Sequence, residues 1–244
     1  MQDKPSPIRE TDEEARRLGR RLLRGARHAA LAVIDAQTGF PAVSRALLGI
    51  DLDGVPVILV SDLASHTVAL KQDPRCSIMT GEPGKGDPLA HARITVFCTA
   101  ESVDRDSADH ARIRDRFIAR HRKAELYVDF ADFRFFRLVP SHAALNGGFG
   151  KAYALTAPEL TIIKSSFAAE WLHMQKLVGA MTAEADAAAL ALKAKEIGDW
   201  TISGVDMAGF DLIRGDILLR YEFDEPISDS NEILDRISNF AKTS

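Results

Sequence analysis

Apolar residues recur along this chain with two periods, and the change from one to the other divides it. Thr11-Asp-Glu-Glu14 has the spacing of a capping box. It opens a predicted helix with Ala15, Leu18 and Leu22 on one face, ending near Gly25. From there to about residue 103 the pattern shortens. Ala29–Asp35, Ala42–Ile50, Val55–Val60, Cys76–Thr80 and Ile94–Val103 are brief apolar or alternating runs, the signature of strands. Thr38-Gly39, Asp53-Gly54, Asp73-Pro74 and the stretch Gly81–His91 separate them with turn chemistry. Asp53-Gly54 is the strongest hairpin signal. Successive short strands with few helices predict a small antiparallel barrel.

The helical period returns over Asp104–Lys123, with Ala108, Ala111, Phe117 and Ile118 expected inward. Phe133–Val139 reads as an aromatic strand stopped by Pro140. A composition shift at Thr156–Ser166 reads as a linker. Beyond it come an apolar helix (Ala168–Met181), an alanine-rich helix (Thr182–Ile197, ended by Gly198), a meander from Trp200 to Phe223 and a last helix capped by Asp229. The expected class is α+β: a barrel domain over residues 1–157 and a small α+β domain over 165–244.

Composition adds exclusions. The 244 residues are 46% hydrophobic and 27% charged, with formal net charge −4, so no basic field favours nucleic acid. Arg16, Arg17, Arg20, Arg21, Arg24 and Arg27 cluster among acidic neighbours and read as a solvated helix face. Cys76 and Cys98 lie in strand-like runs and read as buried thiols. No apolar stretch approaches the roughly 20 residues that cross a bilayer, and the polar start Met1–Glu14 lacks a signal-peptide centre. The expectation is a cytoplasmic protein with no membrane partner.

The candidate chemistry concentrates in Val57–Arg75. An apolar run stops at Ser61-Asp62 and a helical pattern starts near Ser65. The first amides of a helix lack internal partners, so an anion can dock there. Asp62 or Ser65 can cap that end, with Ser61, His66 and Thr67 crowding the same corner; the plainer reading is a well-capped surface helix. Arg45, one hairpin back, falls within one or two rungs of Ser61 and either meets such an anion or sits exposed at an edge. Gly147-Gly-Phe-Gly-Lys-Ala152 allows close backbone approach to a flat ligand, but its spacing is not that of a P-loop; Lys151 meets an anion or is solvated. The seven histidines show no metal-ligand spacing, and no Gly-x-Ser-x-Gly elbow occurs. Asp206, Asp211 and Asp216 read as solvated turn residues.

Together these pieces resemble the split-barrel flavoproteins of the pyridoxamine 5′-phosphate oxidase-like superfamily, nearest the HugZ-like haem-degrading branch. The resemblance is carried by Pro41-Ala-Val-Ser-Arg45, Ser61-Asp-Leu-Ala-Ser-His-Thr67, Asp73-Pro-Arg-Cys-Ser77, Asp87-Pro-Leu-Ala-His-Ala-Arg-Ile94 and Gly147-Gly-Phe-Gly-Lys-Ala152. It implies a six-stranded split barrel binding FMN at a homodimer interface. Arg45, Ser61, Asp62, Ser65, His66 and Thr67 would surround the phosphate, and the ring would lie near Arg45, Ala46 and Leu47. Phe149, Gly150 and Lys151, with Gly148, would contribute late, from the same or the partner subunit.

Three departures qualify what the resemblance implies. His66-Thr67 stands where the oxidases carry an Arg-Lys pair, and their C-terminal Arg-containing substrate motif is absent. Met181-Thr-Ala-Glu-Ala185 places an alanine where relatives carry a histidine, leaving another, such as His173, to serve a haem. The functions implied are an FMN-dependent oxidoreductase, a HugZ-like haem-binding or haem-degrading protein, or a cofactor-binding protein without turnover. No catalytic residue is singled out.

Overall fold

The computed structural model describes residues 8–162 and 168–242. Six strands close on themselves: β2 (His28–Ile34), β3 (Pro41–Ile50), β4 (Pro56–Ser61), β5 (Arg75–Thr80), β6 (Arg93–Ser102) and β7 (Phe133–Asn146). Their order is β7-β4-β3-β2-β5-β6, and β6 pairs again with β7. Two more strands extend the wall, β1 (Ile8–Arg9) lying parallel on β8 (Ala152–Thr156), which follows β7. The fold is the expected six-stranded antiparallel split barrel with flanking helices.

Alternation explains its interior. Ala29, Leu31 and Val33 of β2 and Ile94, Val96 and Cys98 of β6 point inward, with Leu48, Ile58 and Leu138 closing the core. Helix α1 (Glu13–Arg24) adds Ala15 and Leu23, and α2 (Ser65–Gln72) adds Ala69 and Leu70. Strand β4 is buried on both faces, which is why Val57–Val60 reads as a continuous apolar run. Its outer residues Val57 and Leu59 pack with Phe135 beneath Ile113 and Phe117 of α3 (Ala108–Arg120). The hairpin turn forms as predicted, with Gly54 at φ +81°, a conformation that favours glycine.

Three local expectations are corrected. Asp12, not Thr11, caps α1, accepting from the Ala15 amide at 2.8 Å. Strand β7 does not stop at Pro140; Cys98 pairs with Pro140 and Phe97 with His142, so Ser141 is the extra residue of a bulge. A bulge tolerates the missing amide of proline. Helix α3 turns Arg112, Arg116 and Arg120 inward beside Ile113 and Phe117, whereas Ala108 and Ala111 are exposed.

After the four-residue helix α4 (Ala157–Leu160), residues 163–166 of the predicted linker lie outside the described residues. A second core follows. Helices α5 (Ala168–Val178), α6 (Thr182–Ala191) and α7 (Glu232–Lys242) pack with a three-stranded antiparallel sheet. Its strands are β9 (Thr201–Asp206), β10 (Gly209–Arg214) and β11 (Ile217–Glu222). Trp171, Trp200, Phe210, Leu212, Ile233 and Ile237 form this core.

The junction between the two cores is ionic. Arg116 donates to the Ile50 carbonyl at 3.2 Å, the Val205 carbonyl at 2.9 Å and Gln175 Oε1 at 2.7 Å, spanning barrel and second sheet. Arg112 grips Asp51 with two bonds of 2.9 and 2.8 Å. Arg220 reaches Asp206 at 2.7 Å and Asp211 at 3.3 Å. Arg24 is buried at 1% exposure, Arg20 bonds Glu222, and Arg17 and Arg27 bond Asp224 and Asp216. The expected solvated face of α1 is therefore largely a docking face, and Asp206 and Asp211 are buried counter-ions rather than solvated turn residues. Charges taken from water need partners.

Candidate functional site

The turn after β4 carries most of the predicted corner. Asp62 does not cap α2: its carboxylate accepts from Arg134 and, at 2.9 Å, from Lys71, and the Arg134 bond holds its pKa down to about 2. Ser65 is exposed at the first helical position, and Ala64 stands at the cap with no side-chain bond. Thr67 is fully buried and donates to the Ser61 carbonyl at 2.7 Å, bracing the turn from within. Ser61 donates to Asp132 at 2.6 Å and accepts from the Leu63 amide at 3.2 Å. His66 is half-buried, its Nδ1 3.2 Å from Ser44 Oγ, and burial lowers its pKa, so the ring is neutral at pH 7.

Arg45 is exposed and has no side-chain partner among the described residues. Its register partner is Ala30, and the β3–β4 ladder ends at Leu48–Ile58, so no bridge joins Arg45 to Ser61. Continuing that register would set the two opposite each other across the split. Ala46 is in the core, and Leu47 is 37% exposed on the outer face.

Phe149, Gly150 and Lys151 are elsewhere. They form the tight turn between β7 and β8, with Gly148 at φ +110° and Phe149 exposed. Ser61 pairs with Phe133 at one end of β7, while Asn146 pairs with Ala152 at the other. Those ends are roughly 40 Å apart along the strand at about 3.3 Å per residue. Within one chain the two halves of the predicted site do not meet.

Sequence reasoning missed a cavity of about 1000 Å³ between the start of β2, the end of α3 and the second sheet. Leu47 is the predicted site residue that reaches it. His28 lies there with Nε2 3.5 Å from Glu82, and Arg27 there meets Asp216 at 2.7 Å. His121 also lines it, its Nε2 3.0 Å from the Leu48 carbonyl; burial pushes its pKa down to about 4. Of the inward-turned arginines of α3, Arg120 lines it, while Arg112 and Arg116 lie outside its lining, so their four-residue spacing does not mark the cavity in the sequence. Among the described residues no group of three His, Cys, Asp or Glu could hold a metal ion. His173 is exposed and Ala185 is buried.

Barrel closure with flanking helices defines a split-barrel protein, and its relatives place it in the pyridoxamine 5′-phosphate oxidase-like class, in the HugZ-like branch. The chain belongs to the family described as CREG, beta-barrel, which matches residues 10–160. Over 133 residues it is 32% identical to heme oxygenase HutZ of Vibrio cholerae, covering 53% of this chain and 74% of that protein. It is also 32% identical over 115 residues to the chloroplastic heme oxygenase HOZ of Arabidopsis thaliana, covering 47% of this chain. That match spans only 34% of the plant protein. A solved protein of unknown function from Agrobacterium tumefaciens is 29% identical with a TM-score of 0.79, covering 98% of this chain and all of its own. A heme binding protein from Mycobacterium smegmatis is 25% identical with a TM-score of 0.56, covering 97% and 98%. Among the described residues no helix is long and apolar enough to cross a membrane.

Proposed function

We propose that this chain binds haem, with haem breakdown as its activity. The observation that carries the reading is the likeness to the mycobacterial heme binding protein, which runs through both cores. The two relatives named as heme oxygenases support it over the barrel. The residues present fit the group: the junction cavity has room and mixes apolar, cationic and imidazole side chains. Bound haem supplies the iron on which oxygen chemistry runs. The protein's part is to bind it, orient it and limit water.

A second copy of the chain is the proposed structural partner. Val43, Met79 and Phe97 expose apolar surface on the outer face of β3, β5 and β6, and Phe97 stacks on His142 with ring centres 4.5 Å apart. Such a patch suits self-association. A dimer is also the arrangement in which Phe149–Lys151 of one copy can approach the α2 corner of another. The FMN reading, in which Arg45 and the start of α2 take the phosphate, requires that arrangement. The carboxylate of Asp62 at the same corner counts against a dianion there.

Titrating purified protein with ferric haem tests the reading. A stoichiometric Soret band, lost under reductant and oxygen as open-chain pigment accumulates, is the expected result. A stable band supports binding without breakdown. No band, with FMN retained instead, overturns the haem reading.

A further inference from the structure

We infer that the junction cavity, rather than the α2 corner, takes the carboxylate-bearing edge of the tetrapyrrole, with Arg21, Arg122 and Lys123 as its anchors. This inference rests on the haem reading above. The first observation is a local excess of charge. Six cations line the cavity, Arg21, Arg27, Arg120, Arg122, Lys123 and Arg214, against Glu82, Asp199 and Asp216. This occurs in a chain whose formal net charge is −4.

The second observation is that three of those six cations have no hydrogen-bond or ion-pair partner among the described residues, while Arg120 donates to the Arg24 carbonyl and lies 3.6 Å from Asp211. Arg27 is engaged by Asp216 at 2.7 Å, and Arg214 donates to the Gly198 carbonyl at 2.7 Å. Arg21, Arg122 and Lys123 are exposed and make no side-chain bond among the described residues. The Nε atoms of Arg27 and Arg120 are buried without a hydrogen-bond partner. Burial, despite the help of Asp211, pushes Arg120 down to about 10. An anion entering the cavity would relieve this crowding of like charge.

The third observation is shape. Leu22, Ala26, Leu47, Ala124, Ile213 and Leu218 supply an apolar lining beneath the cations. A ligand with a flat apolar body and carboxylates at one edge matches that division, and a small inorganic anion does not. At the α2 corner the predicted donors are already engaged: Thr67 is buried, Ser61 is bonded to Asp132, and Asp62 holds Arg134 and Lys71.

The experiment uses the full chain, ferric haem and its dimethyl ester, with affinity read from the Soret band. Arg122→Glu/Lys123→Glu changes two exposed side chains and should fold, as checked by circular dichroism. Haem affinity should fall at least tenfold in this variant, more steeply at low salt than at high, while the ester binds wild type and variant alike. Arg122→Lys should restore most of the affinity when Lys123 is intact. Unchanged haem affinity in the double variant overturns the inference and leaves the haem reading standing. So does an equal loss for haem and ester, or a loss that follows Arg45→Glu instead. Absence of a Soret band with wild-type protein removes the haem reading itself, and this inference with it.

Discussion

The barrel interior and the ionic junction are equally buried but held together by opposite means. Inside the barrel, Leu31, Leu48, Ile58 and Ile78 are fully buried members of one apolar cluster. At the junction, Arg24, Arg116 and Arg120 and the side chain of Arg220 are buried with Asp51, Asp206 and Asp211. An apolar core gains from every contact and forgives rearrangement. Buried charges return their desolvation cost only while every partner is in place. The junction should therefore be the more brittle region, although ion pairs look stronger on paper.

Asp206→Ala tests that brittleness most severely. Asp206 accepts from Arg220 at 2.7 Å and from the Ala208 amide at 2.8 Å, and its loss leaves the Arg220 guanidinium in a dry site with only the longer contact to Asp211 at 3.3 Å. A cost of about 3–5 kcal/mol is expected from urea unfolding. Replacing both partners, Asp206→Leu with Arg220→Met, should recover most of it; a double variant as unstable as the single would break the comparison. In the barrel, Leu48→Ala should cost about 3 kcal/mol by the same measurement, and Ile58→Val only about 1 kcal/mol.

A pH series separates the regions again. His121 lies neutral where α3 meets the barrel, with a folded pKa of about 4 against 6.5 for the free ring. Below pH 6.5 the unfolded chain takes up a proton that the folded chain refuses, so stability falls as pH drops towards 4. The loss should total about 3 kcal/mol, at 1.36 kcal/mol per pH unit. His121→Gln should flatten that part of the curve. The smallest effect is expected at the surface: Asp73→Asn removes an exposed bridge to Arg75, and the urea midpoint should not move measurably.

The same contrast explains what could be read from sequence. Alternation along His28–Ile34 and Arg93–Ser102 is local, so the barrel strands and the Asp53-Gly54 hairpin were legible. The inward arginines of α3 were not, because their partners are remote: Asp51 is 61 residues from Arg112, and Val205 is 89 from Arg116. Hydrophobic periodicity registers such residues as solvent-facing. Pro140 misled for a related reason, since the bulge that admits it is a property of the pairing with Phe97 and Cys98. At the candidate site, the helix start after Ser61 was legible, whereas the inward turn of Thr67 and the Asp62–Arg134 bond needed β7 in place. The junction cavity, formed by segments from residue 21 to residue 218, leaves no contiguous motif at all.

The placement of two rare residue types gives the molecule a pair of built-in reporters. Both cysteines, Cys76 and Cys98, lie paired across β5 and β6 inside the barrel, and burial raises the Cys76 thiol to about 12. Both tryptophans, Trp171 and Trp200, lie in the second core. A thiol reagent therefore keeps time on the opening of one region, and indole emission on the other, in the unaltered chain. If the arginine junction makes the two regions a single cooperative unit, both clocks will run at one rate.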